Sequence, residues 1–360
     1  MKIGIITFQC AHNYGAVLQA YGLKEYLKSL GYSVNIINYR PGYIVNTYSK
    51  INLRYWLSRN PYKCIIRLFV EFIVKPTRIK RWYAFEKFMN KYLELYPYNK
   101  NEKYSDFYTL VLGSDQIWNP GLTGGKFDEV YFGGKAKCNI VSYAASSRFE
   151  KLSKQQKSFF SDYLPNLKHI SVREISLANL LQPLVNKEII TVVDPTLLAG
   201  RKIFDKIAVS PKKKKYLLLY QIGQWKELNT LANKIAKKLN LEVIEIVSHP
   251  IIPKKGLVQT ASPCEFIGYF QNASFIVTTS FHGLAFSIIY NKDFYCLKQN
   301  TNADLRLSSL LNKLNLGERF LEIGKEPDFE PINYLIVNQE LDKEVQYSID
   351  FLNTALKYKY

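Results

Sequence analysis

At 360 residues, with 47% apolar and 22% charged side chains, the chain is long enough for two separate hydrophobic cores and too apolar for wholesale disorder. Its net charge of +19 asks for an acidic partner or a basic bias spread along the sequence, and the absence of zinc-finger spacing, an RRM signature or a basic heptad region argues against nucleic acid as that partner. Five scattered cysteines without a C-x-x-C pair argue against a disulfide framework and a thiolate zinc site, and point to a reducing cytoplasm.

The opening KIGIITF is too short for a signal-peptide core and reads as a first strand. No uninterrupted apolar run approaches the ~18 residues of a membrane-spanning helix. Residues 16 to 30, AVLQAYGLKEYLKSL, place apolar side chains at 17, 20, 21, 23, 27 and 30, a helical spacing closed by Gly31. YSVNIINY follows as a second strand, and this βαβ opening predicts a parallel sheet.

From 50 to 92 the character changes. Lys and Arg at 50, 54, 59, 63, 67, 75, 78, 80, 81, 87 and 91 face only Glu71 and Glu86, interleaved with aromatic and aliphatic residues. The segment reads as helices inserted in the first domain, with a basic face turned either to solvent or to an anionic membrane surface.

The α/β order returns with TLVLGSDQIW (109 to 118), CNIVSYAASS (138 to 147), HISVRE (169 to 174) and IITVVDPT (189 to 196). The basic stretch 199 to 215 marks a composition break. Beyond it, YLLLYQIG, LEVIEIVS, ASFIVTTS and DFYCL read as strands of a second unit, with a helix after TTSFHG and a last helix over 338 to 358. The expected organisation is an α/β protein with two doubly wound domains facing a central cleft. Residues 1–200 carry the 50–92 insertion on the acceptor side, 201–335 the donor side, and 336–360 a closing helix.

Four strand ends carry candidate chemistry. In AHNYGA, Asn13 and Tyr14 offer hydrogen bonds and Gly15 admits close backbone approach, while Asn13 also suits a helix N-cap. In GSDQIWN, Asp115 is placed as a general base, Gln116 and Asn119 as polar contacts, and Trp118 as a flat face for a sugar ring, unless the indole belongs to the core. In SVRE, Arg173 suits bidentate binding of carboxylate or phosphate, or an ion pair with Glu174. In SFHG, His282 stands with Ser280 and Gly283 at a helix start, where the dipole favours an anion and a bound anion favours the protonated imidazole. No His/Cys cluster has metal-ligand spacing, so neither metal nor cofactor is expected.

Together AHNYGAVLQAYGL, GSDQIWN, SYAASS, SVRE, VDPTLL and SFHGLAFSIIYNKDF resemble the polysaccharide pyruvyl transferase family, in family order from residue 3 to about residue 320. The resemblance implies a GT-B-like pair of Rossmann-type domains. It also implies transfer of an enolpyruvyl-derived group from phosphoenolpyruvate to a glycan, forming a pyruvate ketal; the basic 50–92 segment fits such an enzyme working at the cytoplasmic face of a membrane on an undecaprenyl-linked oligosaccharide. On that reading His282 and Asp115 are catalytic. Arg173, Ser280 and Gly283 bind the donor, and Asn13, Tyr14, Gln116, Trp118 and Asn119 meet the acceptor. In one branch of the family an Arg lies two residues before the motif His; here that position is Ser280, which leaves part of the anion clamp to Arg148 or Arg306. The rivals are a GT-B glycosyltransferase using a nucleotide sugar and a non-catalytic glycan-binding relative. Residues 266 to 292 hold no Asp or Glu to grip a ribose, which favours the pyruvyl donor over the first.

Overall fold

A computed structural model describes residues 1–50, 61–301 and 304–357, with side chains for all of these except 61–67. Seven parallel strands form the first sheet: β1 (Lys2–Ile6), β2 (Ser33–Asn38), β3 (Leu95–Pro97), β4 (Thr109–Asp115), β5 (Asn139–Ala145), β6 (Ile170–Val172) and β7 (Ile189–Thr191), in the order β3-β2-β1-β4-β5-β6-β7. Six more form the second: β8 (Tyr216–Gln221), β9 (Glu242–Val247), β10 (Leu257–Val258), β11 (Phe275–Thr278), β12 (Phe294–Leu297) and β13 (Phe320–Leu321), in the order β10-β9-β8-β11-β12-β13. In each sheet the chain steps outward on one side and then returns to the other. The crevice at the carboxyl ends of the two middle strands is therefore a topological switch point, the place where doubly wound sheets bind ligands. Apolar runs such as YLLLYQ, FIVT and FYCL are buried along their whole length because helices cover both sheet faces.

The first helix, Tyr14–Ser29, follows the apolar spacing and ends before Gly31, whose φ of +90° is the left-handed conformation that stops a helix. It packs on the helix Pro195–Asp205, which buries Ile203 and Phe204 and so takes in the first part of the basic 199–215 stretch. Of the 50–92 segment, residues 51–60 lie outside the described residues. Pro61–Tyr92 is a single helix whose inner face buries Val74, Phe85, Phe88 and Met89. The last helix, Tyr334–Leu356, lies back on the first sheet, where Ser348 Oγ accepts from Val193 N at 2.9 Å and Phe351 faces Tyr143.

One apolar core runs continuously from the first helix and first sheet into the second sheet, with Tyr14 stacked on Phe266 (ring centroids 4.3 Å) and Phe204 edge-on to Phe286 (5.0 Å). Two further cores cover the outer faces of the sheets. Two parallel-sheet α/β domains meeting across their strand ends constitute a GT-B-like fold. Among the described residues no helix is long and apolar enough to cross a membrane.

Candidate active site

His282 lies one residue inside the helix Phe281–Ile289, whose N-cap is Ser280, and its ring packs against the start of the first helix. A Cβ on Gly15 would fall 2.0 Å from His282 Nδ1, so the glycine makes room for the imidazole rather than for a ligand. His282 Nε2 points at Asp194 Oδ2 from 3.7 Å, too far for a hydrogen bond, and has no other partner.

Asp194 joins the strand ends of the first sheet to this histidine. It caps the helix Pro195–Asp205, accepting from Thr196 N at 2.9 Å and Thr196 Oγ1 at 2.7 Å, while Ser114 Oγ at the end of β4 and Arg173 Nη1 beyond β6 reach Oδ2 at 3.0 and 2.6 Å. Burial alone would raise its pKa. His282, the Arg173 charge and the Thr196 amide outweigh burial and hold the carboxylate well below its ordinary range. Asp194 is not among the residues singled out from the sequence. Its place in VDPT, after an apolar strand and before a helix-starting Pro, is nonetheless the same signal that marks Asp115 in GSD.

Arg173 is buried and divided among several neighbours. Nη1 donates to Asp194, Nε donates to Glu174 at 3.3 Å, the guanidinium lies 4.6 Å from the centroid of the Phe281 ring, and Nη2 has no partner. The ion pair with Glu174 therefore exists but takes only one edge of the fork. Arg306, on the helix Asp304–Lys313, is also buried, and its Nε has no hydrogen-bond partner among the described residues. Burial first, and the Arg173 charge second, push its pKa down to about 10, which still leaves it cationic at neutral pH. A cavity of about 30 Å³ opens between Arg173, Asp194, Phe281, Arg306 and Lys313. That volume suits one small charged group.

Asp115 closes β4 in the left-handed region, with φ of +76°, beside Ala144 of β5 at +52°. Two non-glycine residues in this conformation on adjacent strands are strain of the kind that gathers at ligand sites. The Asp115 carboxylate is half-buried, accepts from Gln116 N at 2.8 Å, and lies within the field of Arg148, Arg173 and Arg306. Gln116 Oε1 accepts from Asn119 Nδ2 at 2.9 Å, and Asn119 Oδ1 accepts from Gly121 N at 3.0 Å, so both side chains brace the loop after β4.

Several residues singled out from the sequence do other work. Trp118 is fully buried, donates Nε1–H to Tyr131 O at 3.0 Å and stacks on Phe132; it is a core residue with no face for a sugar. Tyr14 is fully buried, donates to Ala261 O at 2.8 Å and accepts from Arg81 Nη1 at 2.7 Å, which makes it an interdomain pin rather than an acceptor contact. Asn13 Oδ1 caps the first helix through Gly15 N and Ala16 N. Ser280 Oγ caps Gly283 N at 3.4 Å, and a Cβ on Gly283 would strike Thr278 Oγ1 at 2.2 Å, so the Gly283 position serves helix-to-strand packing and offers no free amide to a donor. Arg81, counted with the basic face, is buried and donates to the carbonyls of Val247, Ser248 and Gln259 in the second domain.

On the first-domain side a groove of about 1280 Å³ is lined by Tyr43, Asn46, Lys50, Trp82, Leu122 and His249. Trp82, half-buried, takes the place at the groove wall that the sequence suggested for Trp118. Behind it His12 is buried against Phe85, with Nε2 3.0 Å from Glu86 Oε1, and Arg40 Nη2 holds the same oxygen at 2.6 Å. Burial, the largest influence on His12, lowers its pKa and keeps it neutral despite the glutamate.

Polysaccharide pyruvyl transferase is the family that matches, over residues 13–300. Among solved structures, the UDP-GlcNAc 2-epimerase of Methanocaldococcus jannaschii with UDP-GlcNAc and UDP is similar over 96% of this chain and 93% of its own, at 14% identity and a TM-score of 0.43. Arabidopsis thaliana UGT89C1 is similar over 98% and 93%, at 10% identity and a TM-score of 0.42. E. coli heptosyltransferase WaaC with ADP is similar over 96% and 100%, at 11% identity and a TM-score of 0.40. No curated protein sequence matches the chain. The family match runs through both sheets and takes in Asp115, Arg173, Asp194 and His282, and the chain belongs to the polysaccharide pyruvyl transferase family.

Proposed function

We propose that the protein transfers the enolpyruvyl-derived group of phosphoenolpyruvate to two hydroxyls of one sugar in a polysaccharide or lipid-linked oligosaccharide, forming a pyruvate ketal and releasing inorganic phosphate. One observation carries this reading. Arg173 Nη2, Arg306 Nε and His282 Nε2 are all buried, all without hydrogen-bond partners among the described residues, and gathered around Asp194 and Phe281. Buried donors left unpaired are costly unless a ligand completes them, and two guanidinium groups beside an imidazole call for an anion. Phosphoenolpyruvate offers a carboxylate and a phosphate. The small cavity admits one of these ends and leaves the rest of the donor in the cleft toward Asp115 and Arg148.

The chemistry assigns each group a role. His282 gives a proton to the methylene carbon, and the adjoining carbon gains oxocarbenium character. A sugar hydroxyl adds there while Asp115 takes its proton. A second hydroxyl then bonds to the same carbon, giving its proton to the now neutral His282, as the bond to the phosphate oxygen breaks and the electron pair leaves with phosphate. Asp194 does not touch the reacting atoms; it holds Arg173 and sets the charge that His282 faces. The test is product analysis. Incubation with phosphoenolpyruvate and lipid-linked oligosaccharides is expected to yield inorganic phosphate and a glycan heavier by one pyruvic acid less one water. Glycan unchanged across a broad acceptor panel, with phosphoenolpyruvate intact, contradicts the reading.

A further inference from the structure

The helix Pro61–Tyr92 has a second face that the proposed reaction does not use. Phe69 and Phe72 are 66% and 79% exposed, the two most exposed phenylalanines among the described residues. One helical turn apart, they share a stripe with Lys75, Pro76, Lys80, Tyr83 and Lys87, all of them exposed. The stripe carries no acidic residue. The two carboxylates of the described helix are engaged elsewhere, Glu71 by Arg78 and Glu86 by Arg40 and His12. Pro76 lacks the N–H that would bond the Phe72 carbonyl, so one backbone hydrogen bond is missing between the exposed phenylalanines and the stretch packed on the protein through Phe85, Phe88 and Met89.

We infer that this face docks on an anionic lipid bilayer, with Phe69 and Phe72 entering the headgroup–acyl boundary and Lys75, Lys80 and Lys87 meeting lipid phosphates. Exposed aromatics leading a row of lysines that form no ion pair among the described residues fit a surface that is apolar below and negative above, and a net charge of +19 draws the whole protein toward it. Continuity with the groove favours a membrane over a protein partner. Lys50 Nζ lies 3.9 Å from the Trp82 ring centroid at the groove wall and 4.3 Å from that of Tyr83 on the exposed stripe, so one helix borders both the groove and the docking face. A glycan tethered to a lipid in that bilayer stands at the groove mouth. Docking itself is independent of which donor the enzyme uses.

The test is co-sedimentation with large vesicles of phosphatidylcholine, with and without phosphatidylglycerol, at low and physiological salt. Wild type is expected to pellet with the phosphatidylglycerol vesicles and not with phosphatidylcholine alone. Binding is expected to fall about fivefold for each of Lys75→Gln, Lys80→Gln and Lys87→Gln, and by at least about tenfold for F69S/F72S. Phe72→Trp, which removes nothing, is expected to shift its emission to the blue on the same vesicles. Wild type left in the supernatant, variants that bind as wild type does, or no blue shift overturns the proposal. So does a wild-type dimer in sedimentation equilibrium that F69S/F72S disperses, since that result assigns the face to a second copy of the chain.

Discussion

The imidazole of His282 rests on the backbone of Gly15, and a methyl group there would lie 2.0 Å from Nδ1. Gly15→Ala must therefore move the ring, the first helix, or both. The expected result is a protein that folds and binds phosphoenolpyruvate nearly as wild type does but turns over roughly 100-fold more slowly, because small displacements of a catalytic group cost rate before they cost affinity. Calorimetric binding beside phosphate-release kinetics separates the two quantities. Unchanged turnover contradicts the role given to His282.

Asp194 is buried, negatively charged and paired with Arg173 at 2.6 Å. Asp194→Asn leaves that guanidinium without its counter-charge, and breaking a buried pair from one side costs about 3 kcal/mol. The folded-state pKa of Asp194 is depressed, so its contribution to stability is fully present above the ordinary carboxylate value near 4 and is lost as pH falls below that value toward the folded one. Thermal melts across pH are thus expected to show a gap between wild type and Asp194→Asn that is full at pH 7 and narrows steadily below pH 4.

Arg306 yields effects of opposite sign. Its Nε is buried without a hydrogen-bond partner among the described residues, so Arg306→Met removes a poorly compensated cation, and the unliganded protein is expected to melt no lower than wild type. The same variant is expected to lose most of the stabilisation that phosphoenolpyruvate gives, since that ligand supplies the missing partner. A large drop in the unliganded melting point with the ligand response intact contradicts this placement.

Trp118 and Trp82 divide along the same line. Trp118→Ala empties a fully buried site and is expected to cost roughly 3–5 kcal/mol of stability. Trp82→Ala, at the groove wall, is expected to melt within a few degrees of wild type and to raise the acceptor KM with little change in donor affinity.

Every strand longer than three residues was readable in the sequence, because parallel strands covered on both faces become uninterrupted apolar runs such as YLLLYQ and FYCL. The edge strands β3, β10 and β13 span two or three residues, too short for any alternation to show. The candidate site was legible where a polar residue ends or follows an apolar strand, as with Asp115 and Arg173, or opens the next helix, as with His282. It was obscured where the same local signal has two physical outcomes. An aromatic three residues past a strand end stacks on a ligand or on the core, and for Trp118 the choice was made by Phe132 and Tyr131, which are distant from the GSD motif in sequence. Tyr14 likewise turns on Arg81 and Ala261, long-range partners that no local pattern announces.

The most direct measurement of the central claim is a thermal-shift titration of wild type and Arg306→Met with phosphoenolpyruvate and, in parallel, with UDP, GDP and CMP sugars. A ligand that binds only the folded state raises its melting point. The account predicts that phosphoenolpyruvate stabilises wild type and barely affects the variant, while the nucleotide sugars stabilise neither. A melting point raised by a nucleotide sugar and indifferent to phosphoenolpyruvate would contradict pyruvyl transfer and point to glycosyl transfer on the same fold.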